Sequence, residues 1–260
     1  MRSSLMKRMK ENYEKAYDIR LPKRMPLIIR IDGKAFHTFT KGFKKPFDAI
    51  LMKSMQTTML ELCKNIQNIK LGYTQSDEIS LLLTDYDCLE TSQWFDSKLQ
   101  KIVSVSASSA TLYFNKVFAE WANKNDELLI QNMGGAKEKD IRYADVLMKA
   151  SKKGAMFDAR AFVLPKEEVT NYFLARQNDA TRNSIQSLGQ KYFSHKELIG
   201  KSQNEIQNML YTLKGVNWND LSIDCKRGVC AIRDNWNKWF IDPFIPIWKN
   251  EDRYYIERYI

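Results

Sequence analysis

The chain alternates apolar runs of strand length with stretches of helical spacing. Leu27 to Ile31 reads Leu-Ile-Ile-Arg-Ile, a β-branched run that predicts a short covered strand. It ends at Asp32-Gly33, a turn signal at which the backbone can bend and a ligand can come close. Phe47 to Cys63 carries Ile50, Leu51, Met55, Met59, Leu60 and Cys63 at helical spacing. Ile66 to Tyr73 predicts a second strand and Ile79 to Leu83 its hairpin partner, with Thr74-Gln75-Ser76-Asp77-Glu78 at the turn. Trp94 to Ala122 predicts a long helix whose small residues from Ser104 to Ala110 allow close packing. Met156 to Leu164 predicts a further strand, stopped by Pro165.

Outside this block the pattern is weaker. Residues 1–24 predict a charged helix that ends before Pro22 and Pro26. Residues 123–153 are polar, contain Gly134-Gly135 and a dense charge run, and predict a loop or flexible insertion. Glu167 to Tyr192 predicts a helix broken near Asp179, and Lys196 to Leu213 one or two more. Asp224 to Arg233 predicts a late strand pair, and the aromatic tail from Trp236 to Tyr259 has no clear assignment. The order strand, helix, strand, strand, helix, strand over 27–164 is that of a split βαβ, ferredoxin-like sheet. The expectation is therefore an α+β protein: a catalytic domain over 1–164 and a helical C-terminal extension over 165–260 that packs on it.

Composition narrows the partners. With 41 basic against 31 acidic residues the formal charge is +10, which favours a polyanion such as RNA, DNA or nucleotides. No window approaches the roughly 18 apolar residues of a membrane span, and the basic N-terminus has no apolar signal core, which fits a cytoplasmic protein. Cys63, Cys88, Cys225 and Cys230 form no Cys-x-x-Cys pair and read as free thiols.

The chemistry gathers at two acidic motifs. Asp32 closes the first strand and is followed by Lys34, His37, Lys41, Lys44 and Lys45; Asp77-Glu78 sits between the hairpin strands. Each motif alone is also what an ordinary polar turn with solvated lysines looks like. The predicted topology brings the two turns to one edge of the sheet. Asp32 and Asp77, with the Gly33 carbonyl, then offer hard oxygen ligands for two Mg²⁺ ions, and Lys34, Lys44 and Lys45 offer charge to a triphosphate. No Walker loop is present. His195 reads as a surface or capping residue, and the tail aromatics read as packing or an oligomer contact, with RNA stacking as the alternative.

Arg-Ile-Asp-Gly-Lys-Ala-Phe-His at 30–37, Lys-Pro-Phe-Asp at 45–48 and Gly-Tyr-Thr-Gln-Ser-Asp-Glu-Ile-Ser at 72–80 resemble the histidine-tRNA guanylyltransferase superfamily. Met-Phe-Asp-Ala-Arg at 156–160, Arg-Gln-Asn-Asp-Ala at 176–180 and Lys-Arg-Gly-Val-Cys at 226–230 extend the likeness. The resemblance implies a fold similar to the palm of polymerases and 3′→5′ nucleotide addition to the 5′ end of tRNA. In that family ATP adenylylates the 5′-monophosphate. The 3′-hydroxyl of an incoming triphosphate, usually GTP, displaces AMP, and pyrophosphate is then released. The resemblance makes Asp32 and Asp77 the metal-binding aspartates, Gly33 the carbonyl ligand and Glu78 their acidic neighbour in the catalytic set. Lys45, His37, Ser76 and Arg160 match positions expected to touch nucleotide or triphosphate, and Lys34, Phe36 and Lys44 stand with them as candidate nucleotide contacts. It further implies a homotetramer.

One departure marks the branch. Where eukaryotic guanylyltransferases carry His-Ile-Asn-Asn, this chain reads Thr181-Arg182-Asn183-Ser184. That is more like the guanylyltransferase-like branch, which repairs 5′-truncated tRNAs against a template, and it leaves Arg182 and Asn183 as candidate tRNA contacts. Two other classes share the carboxylates or the charge: a conventional 5′→3′ palm polymerase or nucleotide cyclase, and a non-catalytic RNA-binding protein.

Overall fold

The computed structural model describes residues 2–132, 135 and 137–260. Its centre is a six-stranded sheet in the order β4-β1-β3-β2-β5-β6, built from β1 (Leu27–Gly33), β2 (Ile69–Gln75), β3 (Glu78–Leu83), β4 (Phe157–Val163), β5 (Val229–Arg233) and β6 (Trp239–Asp242). All five neighbouring pairs are antiparallel. The helices are α1 (Arg2–Met9), α2 (Phe36–Phe39), α3 (Ala49–Asn65), α4 (Leu99–Gln131), α5 (Glu138–Lys153), α6 (Lys166–Tyr192), α7 (His195–Leu198), α8 (Gln203–Lys214), α9 (Ile223–Arg227) and α10 (Tyr254–Glu257). The order β1-α3-β2-β3-α4-β4 with β1 between β4 and β3 is the expected split βαβ arrangement. No helix among the described residues is long and apolar enough to cross a membrane.

Strand alternation divides the core in two. Ile29, Ile31, Ile79, Leu81 and Leu83 join Met55, Met59, Leu62, Ile102 and Phe114 beneath α3 and α4. Ile28, Leu82 and Tyr73 face the other way, against Val169 and Phe173 of α6 and Trp248 of the tail. The small residues expected to pack closely do so: Ser106 and Ala110 of α4 are fully buried.

Three expectations are corrected. The segment 123–153 is mostly helix: α4 runs on to Gln131 and α5 begins at Glu138, while Gly134 of the expected loop lies outside the described residues. The charge run hid a regular stripe, since Tyr143, Ala144, Leu147 and Ala150 are the buried face of α5. Its acidic first turn, basic last turn and Gly154 cap also match the helix dipole. Second, α6 is unbroken at Asp179, because that side chain turns outward and pairs with Arg182 one turn on. Third, the late strand pair is β5 with β6, and Ile223–Arg227 is the short helix α9. The segment after residue 165 thus supplies two strands to the sheet as well as helices. Its tail is pinned by Gln177, whose amide donates to the Pro246 carbonyl at 2.8 Å and accepts from the Trp248 backbone at 3.2 Å.

Candidate active site

Sheet register brings the acidic motifs together. Asp32 pairs directly across from Glu78 on one side and Asp158 on the other, so all three side chains leave the same face of the sheet. Asp77 occupies the tight β2–β3 turn beside them, where the Gly33 amide donates to its carbonyl at 3.1 Å. That turn passes through Ser76 with φ of 51°, and the Ser76 hydroxyl donates to Asp77 Oδ1 at 2.9 Å. Gly33 has no room for a side chain: a Cβ there would sit 2.2 Å from the Phe36 ring. Positions 32 and 77 are therefore neighbours in space.

Their electrostatics differ. Burial pushes the Asp77 carboxyl above its usual range; the Ser76 hydrogen bond opposes this and the Asp32 charge adds to it. Glu78 is also raised by burial, against the pull of Arg30 and then Arg176. Its side chain, 6% exposed, accepts at Oε2 from Arg30 at 2.7 Å and from Arg176 at 3.3 Å. Arg30 stands 3.8 Å from Asp32.

Next to this acidic edge is a cavity of about 520 Å³ lined by Gly33, Phe36, His37, Lys44, Lys45, Ser76 and Asp77 among others. The lysine loop that forms one wall is held by Asp48. This buried carboxylate caps α3 through the amides of Ile50 and Leu51, accepts from the Lys44 amide, and accepts from the Tyr143 hydroxyl of α5 at 2.7 Å. Lys44 lies over the Tyr143 ring, 4.1 Å from its centroid. An adjoining cleft, sharing Pro46, Asp48, Leu51 and Ser76, is lined by Met52, Met55, Gln56, Asn183 and Arg227.

The expected contacts thus sort into three groups. Gly33, His37, Lys44, Lys45, Ser76 and Asp77 surround the cavity. Phe36 reaches its wall but is only 5% exposed, packed against Phe39, Phe114 and Phe157. Arg160 projects from β4 beside Asp158, Lys34 is exposed past the end of β1, and Arg182 pairs with Asp179 on the surface of α6; none of these three lines the cavity. Asp48, Tyr143, Arg30 and Arg176 escaped the sequence reading as site residues. Asp48 carried a usable signal, an Asp immediately before an apolar helical run; Tyr143 lay in the segment read as a loop.

Among the described residues no three His, Cys, Asp or Glu side chains gather as a ready-made metal site. With Glu78 taken up by Arg30 and Arg176, the edge offers Asp32 and Asp77, with Asp158 across from Asp32; burial raises the pKa of Asp77. Such a sparse, all-oxygen donor set fits Mg²⁺, which keeps several waters and is completed by substrate phosphates.

Comparison with known proteins identifies the family. The family model described as tRNAHis guanylyltransferase matches residues 6–165. A bacterial tRNA(His) guanylyltransferase (Thg1)-like protein solved in complex with ATP is 44% identical, with a TM-score of 0.82 and 98% of each chain covered. One in complex with GTP is 41% identical, with a TM-score of 0.77 and 98% of each chain covered. The tRNA(His) guanylyltransferase of Debaryomyces hansenii is 28% identical over 80% of this chain and 73% of its own length. The chain belongs to the tRNAHis guanylyltransferase family of nucleotidyltransferases.

Proposed function

We propose that the protein is a cytoplasmic 3′→5′ nucleotidyltransferase that restores 5′-truncated tRNA against a template, with guanosine addition to tRNA-His as the related activity. The observation that carries this reading is the meeting of Asp32 and Asp77 beside a cavity walled by His37, Lys44 and Lys45. The bacterial relatives bound to ATP and GTP support nucleoside triphosphates as the small substrates. The reading divides the protein into a palm-like catalytic unit over 1–164 and a C-terminal extension over 165–260, assembled as a homotetramer.

Asp32, Asp77 and the Gly33 carbonyl would hold two Mg²⁺ ions, which when bound supply Lewis acidity at the reacting phosphorus and at the departing pyrophosphate. The chain's own residues do the rest. Lys44 and Lys45 neutralise the triphosphate as point charges on a loop that Asp48 and Tyr143 keep in place. Ser76 orients the Asp77 carboxylate. The adjoining cleft, lined by the apolar Leu51, Met52 and Met55 and the polar Gln56 and Asn183, suits a planar base. In the first step an oxygen of the RNA 5′-phosphate attacks the α-phosphorus of ATP and pyrophosphate leaves. In the second the 3′-hydroxyl of the incoming triphosphate attacks the RNA 5′-phosphorus and AMP leaves. Holding both partners in line at one carboxylate pair turns a bimolecular encounter into a positioned one.

The test is transfer of label from α-labelled ATP to a 5′-phosphorylated, truncated tRNA. The reading expects a 5′-adenylylated RNA that requires Mg²⁺ and disappears in Asp32→Asn. A protein that binds this RNA without adenylylating it would contradict the reading.

A further inference from the structure

The carboxylates at the strand ends are backed by a second row. Arg30 pairs across from Arg160 on β4 and Ser80 on β3, one step behind Asp158, Asp32 and Glu78 and on the same face. From above, α6 lowers Arg176 onto the same Glu78 oxygen that Arg30 holds. A single buried carboxylate therefore fastens two guanidinium groups, whose side chains remain 25% and 23% exposed.

Stability does not explain this cluster. Removing charges from water is costly, and buried ion pairs are weak contributors to folding. The cost is visible, since Arg30 Nε and Glu78 Oε1 are buried without a hydrogen-bond partner. What the arrangement achieves is placement. Each guanidinium has five donors; Glu78 Oε2 engages one nitrogen of each, the Arg30 nitrogen also standing 3.8 Å from Asp32, and the donors on the exposed parts of the two side chains are left for an anion. Lys44 and Lys45 line the triphosphate cavity with Gly33 and Asp77, and neither Arg30 nor Arg176 does. The cations near the acidic edge thus fall into two sets, Arg30 and Arg176 at Glu78 and the lysines of the cavity. A transfer between two phosphorus-bearing substrates needs two such anion sites, and paired guanidiniums match a phosphate monoester through parallel N–H donors.

We propose that Arg30 and Arg176 bind the phosphate at the 5′ end of the acceptor RNA, and that Glu78 is a positioning residue that clamps them. This rests on the reading of the protein as a 5′-end nucleotidyltransferase. The experiment compares binding of one tRNA bearing either a 5′-monophosphate or a 5′-hydroxyl, by fluorescence anisotropy, to the full-length protein and to Arg176→Gln, Arg176→Lys and Glu78→Gln. Wild type is expected to prefer the phosphorylated RNA at least about tenfold. Arg176→Gln should bring that preference within about twofold, while affinity for 5′-hydroxyl RNA and KM for ATP stay unchanged. Arg176→Lys keeps the charge for folding but not the planar fork, so it should retain only part of the preference, as should Glu78→Gln. Full preference in the folded variants, no preference in wild type, or a raised KM for ATP in place of the lost preference would each overturn the proposal. Wild-type protein that recognises the 5′-phosphate and never adenylylates it would overturn the functional reading and leave this binding site standing.

Discussion

The two faces of the central sheet obey different rules. Beneath α3 and α4, the side chains of β1, β3 and β4 are apolar from end to end, and Phe36, Phe39, Phe43, Phe114, Phe118 and Phe157 complete the layer. The opposite face is apolar only at one end, where Ile28 and Leu82 meet Phe173 and Trp248. Two residues on, at Arg30 and Ser80, it becomes polar, and at Asp32 and Glu78 it is acidic. One face settles the fold; the other breaks the pattern over a single strand turn. Local departures from a consistent pattern are where function is expected to lie.

Four substitutions would sharpen or break that contrast. Phe114→Ala on the dry face removes a fully buried ring and should cost about 3 to 5 kcal/mol by chemical denaturation, with specific activity of the folded fraction unchanged. Asp77→Asn on the wet face should do the opposite. Nucleotide addition should fall by about 10²- to 10³-fold, roughly 3 to 4 kcal/mol of barrier, while thermal stability does not fall. Equal damage to folding and activity at both sites would erase the distinction. Asp48→Ala lies between them: losing the cap and the lysine-loop anchor should cost about 2 kcal/mol of stability and raise KM for the triphosphate. Ser202→Ala, at the cap of α8 and far from either face, should cost only about 1 kcal/mol and leave activity untouched.

The acidic edge should also show itself in pH. The buried Asp77 carboxyl has its pKa raised above the ordinary value of 3.8, so between that value and its own the folded state holds more protons than the unfolded one. Stability of the metal-free protein should then decline as pH rises through that window. Asp77→Asn should flatten the decline, as a melting series across pH would reveal.

Much of this was legible beforehand. Strand runs at 27–31 and 79–83 and the helical spacing of 47–63 are strong periodic signals, and they carried the sheet order that brings Asp32 to Asp77. The segment 138–153 was missed because charge outweighed a stripe of small and aromatic residues, among them Ala144, Ala150 and Tyr143. The Arg176 contact to Glu78 spans 98 residues, and no local pattern encodes a meeting of that length. Nor did local pattern reveal that Trp248 is core while Trp236 is solvent-facing, since both stand in the same aromatic tail.

The most direct test of the account is to map which end of a 5′-phosphorylated, 5′-truncated tRNA grows when the protein is given Mg²⁺, ATP and labelled GTP. Growth at the 5′ end, lost in Asp32→Asn and Asp77→Asn, is the predicted result; label at the 3′ end, or addition that survives both substitutions, would contradict it.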